Sequence, residues 1–455
     1  MKTIPLLLLL FFPAWMEKHD VSQLPAMETE FPLLWKVPIG LTSFRTNICF
    51  TDNEILIGSN GENFYDYWIN DPNSGVNVID RKSGKLKCRF ADEPLGDMDV
   101  NGLLLYKGKL YFGNDNEEFL CTDLKGKILW RQLASGDIEH EPVLLRARGR
   151  DMVVYASELG EVKAVDPATG RTCWNYYTPD FSGFKTGDNR AIFKVKAFFS
   201  NSHSFFTKPL LADFNRDGIL DLLYNAVDGN IYVLSGENGK LLWKYNSKSR
   251  LGFMTSLTSS SDGPWINVIE YRDIGDRYGM AYLVSIDRFG KKIDEEPWSK
   301  QFNAVGLNSL SLPDGRSLIN NVDSIIIVEK GMPVASFYHG INFKETAVEY
   351  TEPAVLNRNG DDPVFASEVF VIPGQGRCVV VLNQYDRANW SHGFIELISL
   401  DSQKVIKRLS LAARAEMPPV IKDVNGDGSL DILVGCHDEM LYCFDLKVKS
   451  SESIK

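Results

Sequence analysis

The chain has 455 residues and a formal charge of −11, from 49 basic and 60 acidic side chains, and that balance argues against a nucleic-acid binder, which needs a basic surface. Its length exceeds one ordinary single-core domain, so internal repetition is the first pattern to seek. No segment is apolar for long enough to cross a bilayer as a helix, so no transmembrane segment is expected.

The N-terminus, Met1-Lys2-Thr3-Ile4-Pro5 followed by an apolar run over 6–12, has the length of a signal-peptide core. Residues 1–16 are read as a signal peptide, although Ala14 is small while Phe12 and Trp15 beside it are not. No Cys follows the apolar run to carry a lipid, so export to the periplasm or outside the cell is expected. Residues 17–32 then form a linker, 33–447 one folded body and 448–455 a tail. The seven cysteines (49, 88, 121, 173, 378, 436 and 443) leave at least one unpaired. Most sit in predicted strands where sibling repeats carry Leu or Trp, and they are expected to be buried as small hydrophobes.

Beyond the leader, short apolar runs bounded by Gly, Asp and Asn predict strands and no helices. Residues 208–245 show the unit most clearly: four runs, at 209–212, 221–225, 230–235 and 240–245, predict a four-stranded antiparallel meander, strands A to D. The ending of strand D recurs. Asp166-Pro167-Ala168-Thr169-Gly170-Arg171-Thr172-Cys173-Trp174 matches Ser235-Gly236-Glu237-Asn238-Gly239-Lys240-Leu241-Leu242-Trp243. Cys88, Trp130 and Trp174 follow at intervals of 42 and 44 residues, and an insertion widens the next to 69. Four strands per unit and a period in the low forties predict an all-β propeller. In chain order the blades fall near 42–90, 98–133, 141–178, 208–247, 252–300, 304–338, 352–411 and from 418 onward, eight in all, with seven as the alternative. The last lacks a Trp-bearing strand D, while Leu33-Leu34-Trp35-Lys36 repeats Leu241-Leu242-Trp243-Lys244, so the first strand is expected to complete the last blade and close the ring.

The ending formed by Asp166, Thr169, Gly170 and Trp174 resembles the repeat of quinoprotein-like, or PQQ-type, propellers. The loop Asp213-Phe214-Asn215-Arg216-Asp217-Gly218-Ile219-Leu220-Asp221 resembles the calcium loop of FG-GAP (integrin-α-like, VCBS-type) repeats. Together these resemblances span most of 33–447 and imply a fold more than an activity.

The same loop recurs as Asp423-Val424-Asn425-Gly426-Asp427-Gly428-Ser429-Leu430-Asp431, again four residues after a Pro. Ca²⁺ takes six to eight hard oxygens in flexible geometry. The side chains of Asp213, Asn215, Asp217 and Asp221 can converge with the Ile219 carbonyl, and those of Asp423, Asn425, Asp427 and Asp431 with the Ser429 carbonyl. Clustered carboxylates repel one another without a cation between them. Two structural calcium ions are therefore expected, and the resemblance implies that they pin the A–B turn. A decayed copy over 357–362 lacks the Gly and the last carboxylate, and the turn at 146–151 is shortened; neither is expected to hold metal.

In a four-stranded blade, B–C and D–A connections emerge on one face, here the upper, and A–B and C–D connections on the other. The long B–C connections carry Phe64, Tyr65, Tyr67 and Trp68 (within 59–75), Arg277 and Tyr278 (within 272–279), and Tyr385, Arg387, Trp390 and His392 (within 383–393). The D–A connection over 176–207 adds Phe181, Phe184, Lys185, Arg190, Phe193, Phe198, Phe199, His203 and Phe205. Tyr, Trp and Arg on loops of a rigid scaffold suit a binding face, whereas singly such aromatics also pack their own loops down. Phe64, Tyr65, Tyr67, Trp68, Tyr278, Tyr385, Arg387, Trp390 and His392 are the candidate ligand-binding residues.

Catalytic signatures are sparse. The six His show no His-x-His or His-Glu-x-x-His spacing, and neither a Gly-x-Ser-x-Gly elbow nor a phosphate-cradling Gly-Lys-Ser/Thr loop occurs. The quinoprotein enzymes that the repeat resembles use an adjacent Cys pair and a cofactor cage, and neither motif is present. The sequence thus points to an exported, monomeric, calcium-stabilised propeller that binds a protein or glycan partner. Two alternatives are a quinone-cofactor dehydrogenase and a polysaccharide-active lyase or hydrolase using Tyr385, Arg387 and His392.

Overall fold

The computed structural model describes residues 31–62, 73–90, 98–179, 205, 207–226, 228–247, 255–258, 263–273, 279–301, 308–312, 315–320, 324–329, 332–338, 365–387 and 390–449. They form eight antiparallel sheets and, among the described residues, no helix. Blade one comprises strands Ile48–Phe50, Glu54–Asn60, Ser74–Asp80 and Leu86–Phe90; blade two Leu103–Tyr106, Lys109–Asn114, Glu118–Asp123 and Ile128–Leu133; blade three Val143–Ala147, Arg150–Ala156, Glu161–Val165 and Thr172–Tyr177. Blade four is Leu210–Ala212, Asp221–Asn225, Asn230–Leu234 and Leu241–Asn246; blade five Thr255–Thr258, Trp265–Asp273, Gly279–Ile286 and Lys292–Gln301; blade six Asn308–Ser311, Ser317–Asn320, Ser324–Glu329 and Met332–Tyr338. In blade seven two short segments, Phe365–Ala366 and Phe370–Ile372, share the place of strand A beside Gly376–Arg387, followed by Trp390–Ser399 and Lys404–Ser410. The strand A expected after 352 lies outside the described residues.

Blade eight takes strands A to C from Val420–Lys422, Ser429–Gly435 and Met440–Lys449, and its strand D is Leu33–Pro38. Trp35 lies opposite Cys443, and Val37 opposite Leu441. The first strand therefore closes an eight-bladed ring, as its sequence likeness to strand D of blade four predicts. Closure removes the two open edges that a linear array would expose.

Each blade buries both sheet faces against its neighbours, and this is why strands B and C read as continuous apolar runs. In blade three, Val153 and Tyr155 pack toward blade two while Val154 and Ala156 pack toward blade four. Similar seams join blades one and two, four and five, six and seven, seven and eight, and eight and one. Blades five and six meet through hydrogen bonds, including Asn267 Nδ2 donating to Ser317 Oγ over 3.1 Å. Strand D, at the rim, alternates instead: in Ile128–Leu133 every second residue is exposed.

A Trp on strand D locks four of the seams. The Trp174 ring covers Gly239 in the next blade's C–D turn, where a Cβ would come within 2.3 Å of the indole. Gly239 has φ +71°, so both the turn and the close approach require glycine. Trp35 over Gly84, Trp130 over Gly170 and Trp243 over Gly290 repeat the contact. Two of these indoles also donate across the seam, Trp243 Nε1 to the Arg288 carbonyl at 2.7 Å and Trp130 Nε1 to the Pro167 carbonyl at 3.2 Å. Asp166 Oδ1 holds the turn itself, accepting from the Ala168 and Thr169 amides and the Thr169 hydroxyl.

Candidate functional site

On the lower face, two nine-residue A–B loops fold alike although they lie at opposite points of the ring, in blades four and eight. Residue four of each is left-handed, Arg216 with φ 64° and Gly426 with φ 80°, and so is residue six, Gly218 and Gly428. Asp213 Oδ2 accepts from the Gly218 amide at 2.9 Å, as Asp423 Oδ2 does from Gly428 at 3.0 Å. Asn215 Oδ1 accepts from the Asp217 amide, and Asn425 Oδ1 from Asp427, both at 2.9 Å. Asp217 Oδ1 accepts from Ile219, and Asp427 Oδ1 from Ser429. Asp221 and Asp431, fully buried where strand B begins, accept from the amides of Phe214 and Val424.

The two loops differ in one atom's surroundings. Asp221 Oδ1 accepts from the Gly236 amide at 3.1 Å, whereas Asp431 Oδ1 is buried with no hydrogen-bond partner. Strand register also sets Asp431 opposite Asp445. Burial, and secondarily the nearby Asp217 or Asp427, pushes both buried carboxyls up to about 6. An arginine from the following blade's C–D turn braces each loop from outside. Arg288 Nη1 donates to the Phe214 carbonyl, and Arg81 donates to the carbonyls of Val424 and Asp423. Among the described residues, no three His, Cys, Asp or Glu side chains are gathered as a metal cage.

On the upper face, the connections entering blades one, two and three meet in a buried polar network that the sequence analysis missed. Ser43 Oγ donates to Asn101 Oδ1 at 2.7 Å, and Asn101 Nδ2 donates to Glu139 Oε2 at 2.9 Å. Arg45 pairs with the same Glu139 carboxylate. Glu158 lies beside it, and burial together with the charges of Glu139 and Glu117 raises its carboxyl to about 8 against the opposing pull of Arg45. His140 is buried next to the ring of Tyr224, and burial lowers it to about 4. The available signal is positional: Asn101 and Glu139 stand just before strand A of their blades, where the repeats superpose.

Of the candidate ligand-binding residues, Phe64, Tyr65, Tyr67, Trp68 and Tyr278 lie outside the described residues, as does the 180–204 part of the long D–A connection. Phe205, at its end, is buried in the seam between blades three and four against Tyr224 and Tyr232. The stretch over 383–393, expected as a loop, is instead a strand extension: Gly376–Arg387 and Trp390–Ser399 stay paired up to Arg387 opposite Trp390. The tip reads as a loop because Asn, Asp and Gly interrupt it, yet the ladder continues. Register sets Tyr385 opposite His392, two rungs from Arg387 opposite Trp390. The seven cysteines are free thiols; Cys121, Cys378, Cys436 and Cys443 are buried, while Cys88 is exposed.

A closed ring of four-stranded blades with Trp-on-Gly seams defines a β-propeller of the PQQ-type repeat class. The family model described as outer membrane protein assembly factor BamB matches residues 72–318, and the chain belongs to that family. Among solved structures, BamB from Moraxella catarrhalis is 12% identical with a TM-score of 0.50, covering 91% of this chain and 100% of its own. Sqt1 of Saccharomyces cerevisiae is 9% identical with a TM-score of 0.53 (92% and 97% covered), and a europium-containing methanol dehydrogenase is 11% identical with a TM-score of 0.52 (95% and 95%). At such identities the likeness is one of fold. No curated protein matches the chain at a significant level, and no helix among the described residues is long and apolar enough to cross a membrane.

Proposed function

We propose that the chain is an extracytoplasmic binding scaffold that takes a protein partner on its upper face and is stiffened by two Ca²⁺ ions on its lower face. The observation that carries this reading is the division of labour between the faces. The described lower connections are C–D turns, anchored by an Asp in blades one, two, three and five, and A–B turns, of which the nine-residue loops are the longest described. The buried polar network and the raised ribbon belong to the upper side. Membership of the BamB family supports a protein over a small-molecule partner.

The oxygen-bearing side chains of the two loops are of the kind that could hold a cation. Matching backbone conformations at two remote sites and, in blade eight, a buried carboxylate oxygen of Asp431 without a partner support that reading. Asp213, Asn215, Asp217, Asp221 and the Ile219 carbonyl would hold one ion; Asp423, Asn425, Asp427, Asp431 and the Ser429 carbonyl the other. The ion supplies a cross-link between the start of strand B and the loop before it. Arg81 and Arg288 carry that rigidity across the seam into the next blade.

The test is site-specific photo-crosslinking. A benzophenone side chain at Tyr67, Trp68 or Tyr385 is expected to capture one common protein from the native compartment. The same group at Leu220 or Phe289, both exposed on the lower face, is expected to capture none. Capture from the lower positions alone, or turnover after reconstitution with a pyrroloquinoline quinone or on a polysaccharide panel, overturns the scaffold reading.

A further inference from the structure

The lower face carries a second feature that the partner reading leaves unused, in the A–B turns of blades two and three. Both are two-residue hairpin turns, Lys107-Gly108 and Arg148-Gly149, closed by Tyr106 opposite Lys109 and by Ala147 opposite Arg150. Lys107 has φ 49° and Arg148 φ 48°, in the left-handed region where Asn or Asp is the better tolerated side chain. The same turn of blade one is Asp52-Asn53, and the nine-residue loops of blades four and eight are rich in Asp. A long cation kept at a backbone cost on the tip of a turn points to a use for its charge.

The cations gather into one patch. Lys107 Nζ and Arg146 Nε lie 3.0 Å and 2.7 Å from the Asp151 carboxylate, to which the Tyr106 hydroxyl also donates, so this acid joins blades two and three. Arg148 Nε reaches Glu237 of blade four at 2.5 Å. Even so paired, the side chains of Lys107, Arg146 and Arg148 stay 68%, 69% and 79% exposed. Lys109, Arg150 and Arg171 add their charge and make no ion pair among the described residues. The acids beside them are few and occupied: Asp166 accepts from its own turn, and Asp123 sits between exposed Lys125 and Lys127. In blade four the exposed Arg216 and Asp217 offset each other. This concentration of basic groups stands in a chain of charge −11.

The tips also project. A Cβ added at Gly108 or Gly149 would meet nothing within 4 Å. No large hydrophobic side chain is exposed over 103–110 or 143–151, so the patch lacks the apolar anchors on which a protein interface is centred.

We infer that this patch docks the lower face on an anionic lipid surface through its phosphate headgroups. Projecting cations without apolar anchors fit a plane of negative charge, to which each Lys or Arg is drawn separately. The screening length at physiological salt is about 8 Å, so acids elsewhere on the ring do not cancel the patch. Such contact turns the upper face away from the lipid and toward a partner, and it goes beyond the scaffold reading because it needs no partner to form.

The probe is vesicles of phosphatidylcholine, with or without phosphatidylglycerol, floated with the full chain in calcium-containing buffer. The wild type is expected to float with the phosphatidylglycerol vesicles, to leave them in high salt and to ignore phosphatidylcholine alone. Lys107→Asn with Arg148→Asn removes two tip cations while suiting the left-handed backbone, so it should fold and yet bind on the order of thirtyfold more weakly. Lys109→Gln with Arg150→Gln removes the same charge from ordinary strand positions and is expected to match it. Lys36→Asn with Lys244→Asn, exposed on the outer strands of blades eight and four, changes net charge equally and is expected to bind as the wild type does. Binding that ignores phosphatidylglycerol, tip variants that bind normally, or an equal loss in the outer-strand variant overturns the inference. So does tip-dependent binding of polyglutamate or heparin that the vesicles fail to displace, which would make the patch a protein or glycan site. Crosslinking from Tyr67 and Trp68 is read separately: capture there without vesicle binding keeps the scaffold reading and sinks this one, and vesicle binding without capture does the reverse.

Discussion

Asp431 ends its loop buried, with one oxygen on the Val424 amide and the other on nothing, opposite a second acid, Asp445. A lone charge there is costly, and under the proposed reading a bound cation would offset the cost. Asp217→Ala and Asp427→Ala are each expected to remove one of two bound Ca²⁺ by equilibrium dialysis, and chelation to lower the melting temperature of the wild type but not of the double variant. Stoichiometry unchanged in the double variant would refute the assignment. His140 makes a separate prediction. Its ring contacts Tyr224, its Nδ1 meets the Glu141 carbonyl at 2.9 Å, and Arg45 and Lys208 are the charges that face it. Burial holds it neutral down to about 4, below the ordinary value near 6.5, so the unfolded chain takes up a proton in that interval that the folded one refuses. Stability contributed by neutral His140 is thus complete above 6.5 and falls as the pH drops toward 4, by ~3 kcal/mol. His140→Phe should flatten that part of the stability–pH curve; a curve of unchanged slope would show that other groups set it. The likeness of the two nine-residue A–B loops was legible in the sequence because their spacing is local. The network of Ser43, Asn101, Glu139 and Arg45 was not, since its members come from three separate connections that only ring geometry brings together.

Among elements, the C–D turn does most to hold the blades in place. Its Asp fixes the turn, its Gly receives the neighbouring indole, and the carbonyl after the Asp accepts the indole N–H in blades three and five. Gly239→Ala places a methyl into Trp174 and forces alanine into the left-handed region. The cost should reach about 3 kcal/mol or more, from the backbone term plus displacement of a packed indole, read as a lower midpoint in urea. Gly149→Ala is the control for the backbone term: its φ is 77° but an added methyl meets nothing. Equal losses at the two positions would mean that the Trp contact contributes nothing. The turn was readable from Asp166, Thr169, Gly170 and Trp174 because each residue type is demanded by a local contact. The ribbon over 383–393 was misread as a loop, because the polar residues at its tip outweighed a two-residue alternation that in fact persists through Tyr385, Arg387, Trp390 and His392.

At the scale of the whole molecule, closure was legible for a simple reason: strand D has its own sequence pattern, and the only spare copy lay at Leu33-Leu34-Trp35-Lys36. What the repeat could not reveal is the function of either face, because Trp-on-Gly packing maintains the ring whatever its loops bind. The central claim is that the upper face meets the partner while the lower face holds metal and stays apart. Hydrogen–deuterium exchange on the calcium-loaded chain, with and without the partner captured by crosslinking, tests it most directly. The account predicts slowed exchange at 98–101, 137–141 and 383–393 on adding the partner, with 213–221 and 423–431 unchanged. Protection confined to the two lower loops would contradict it.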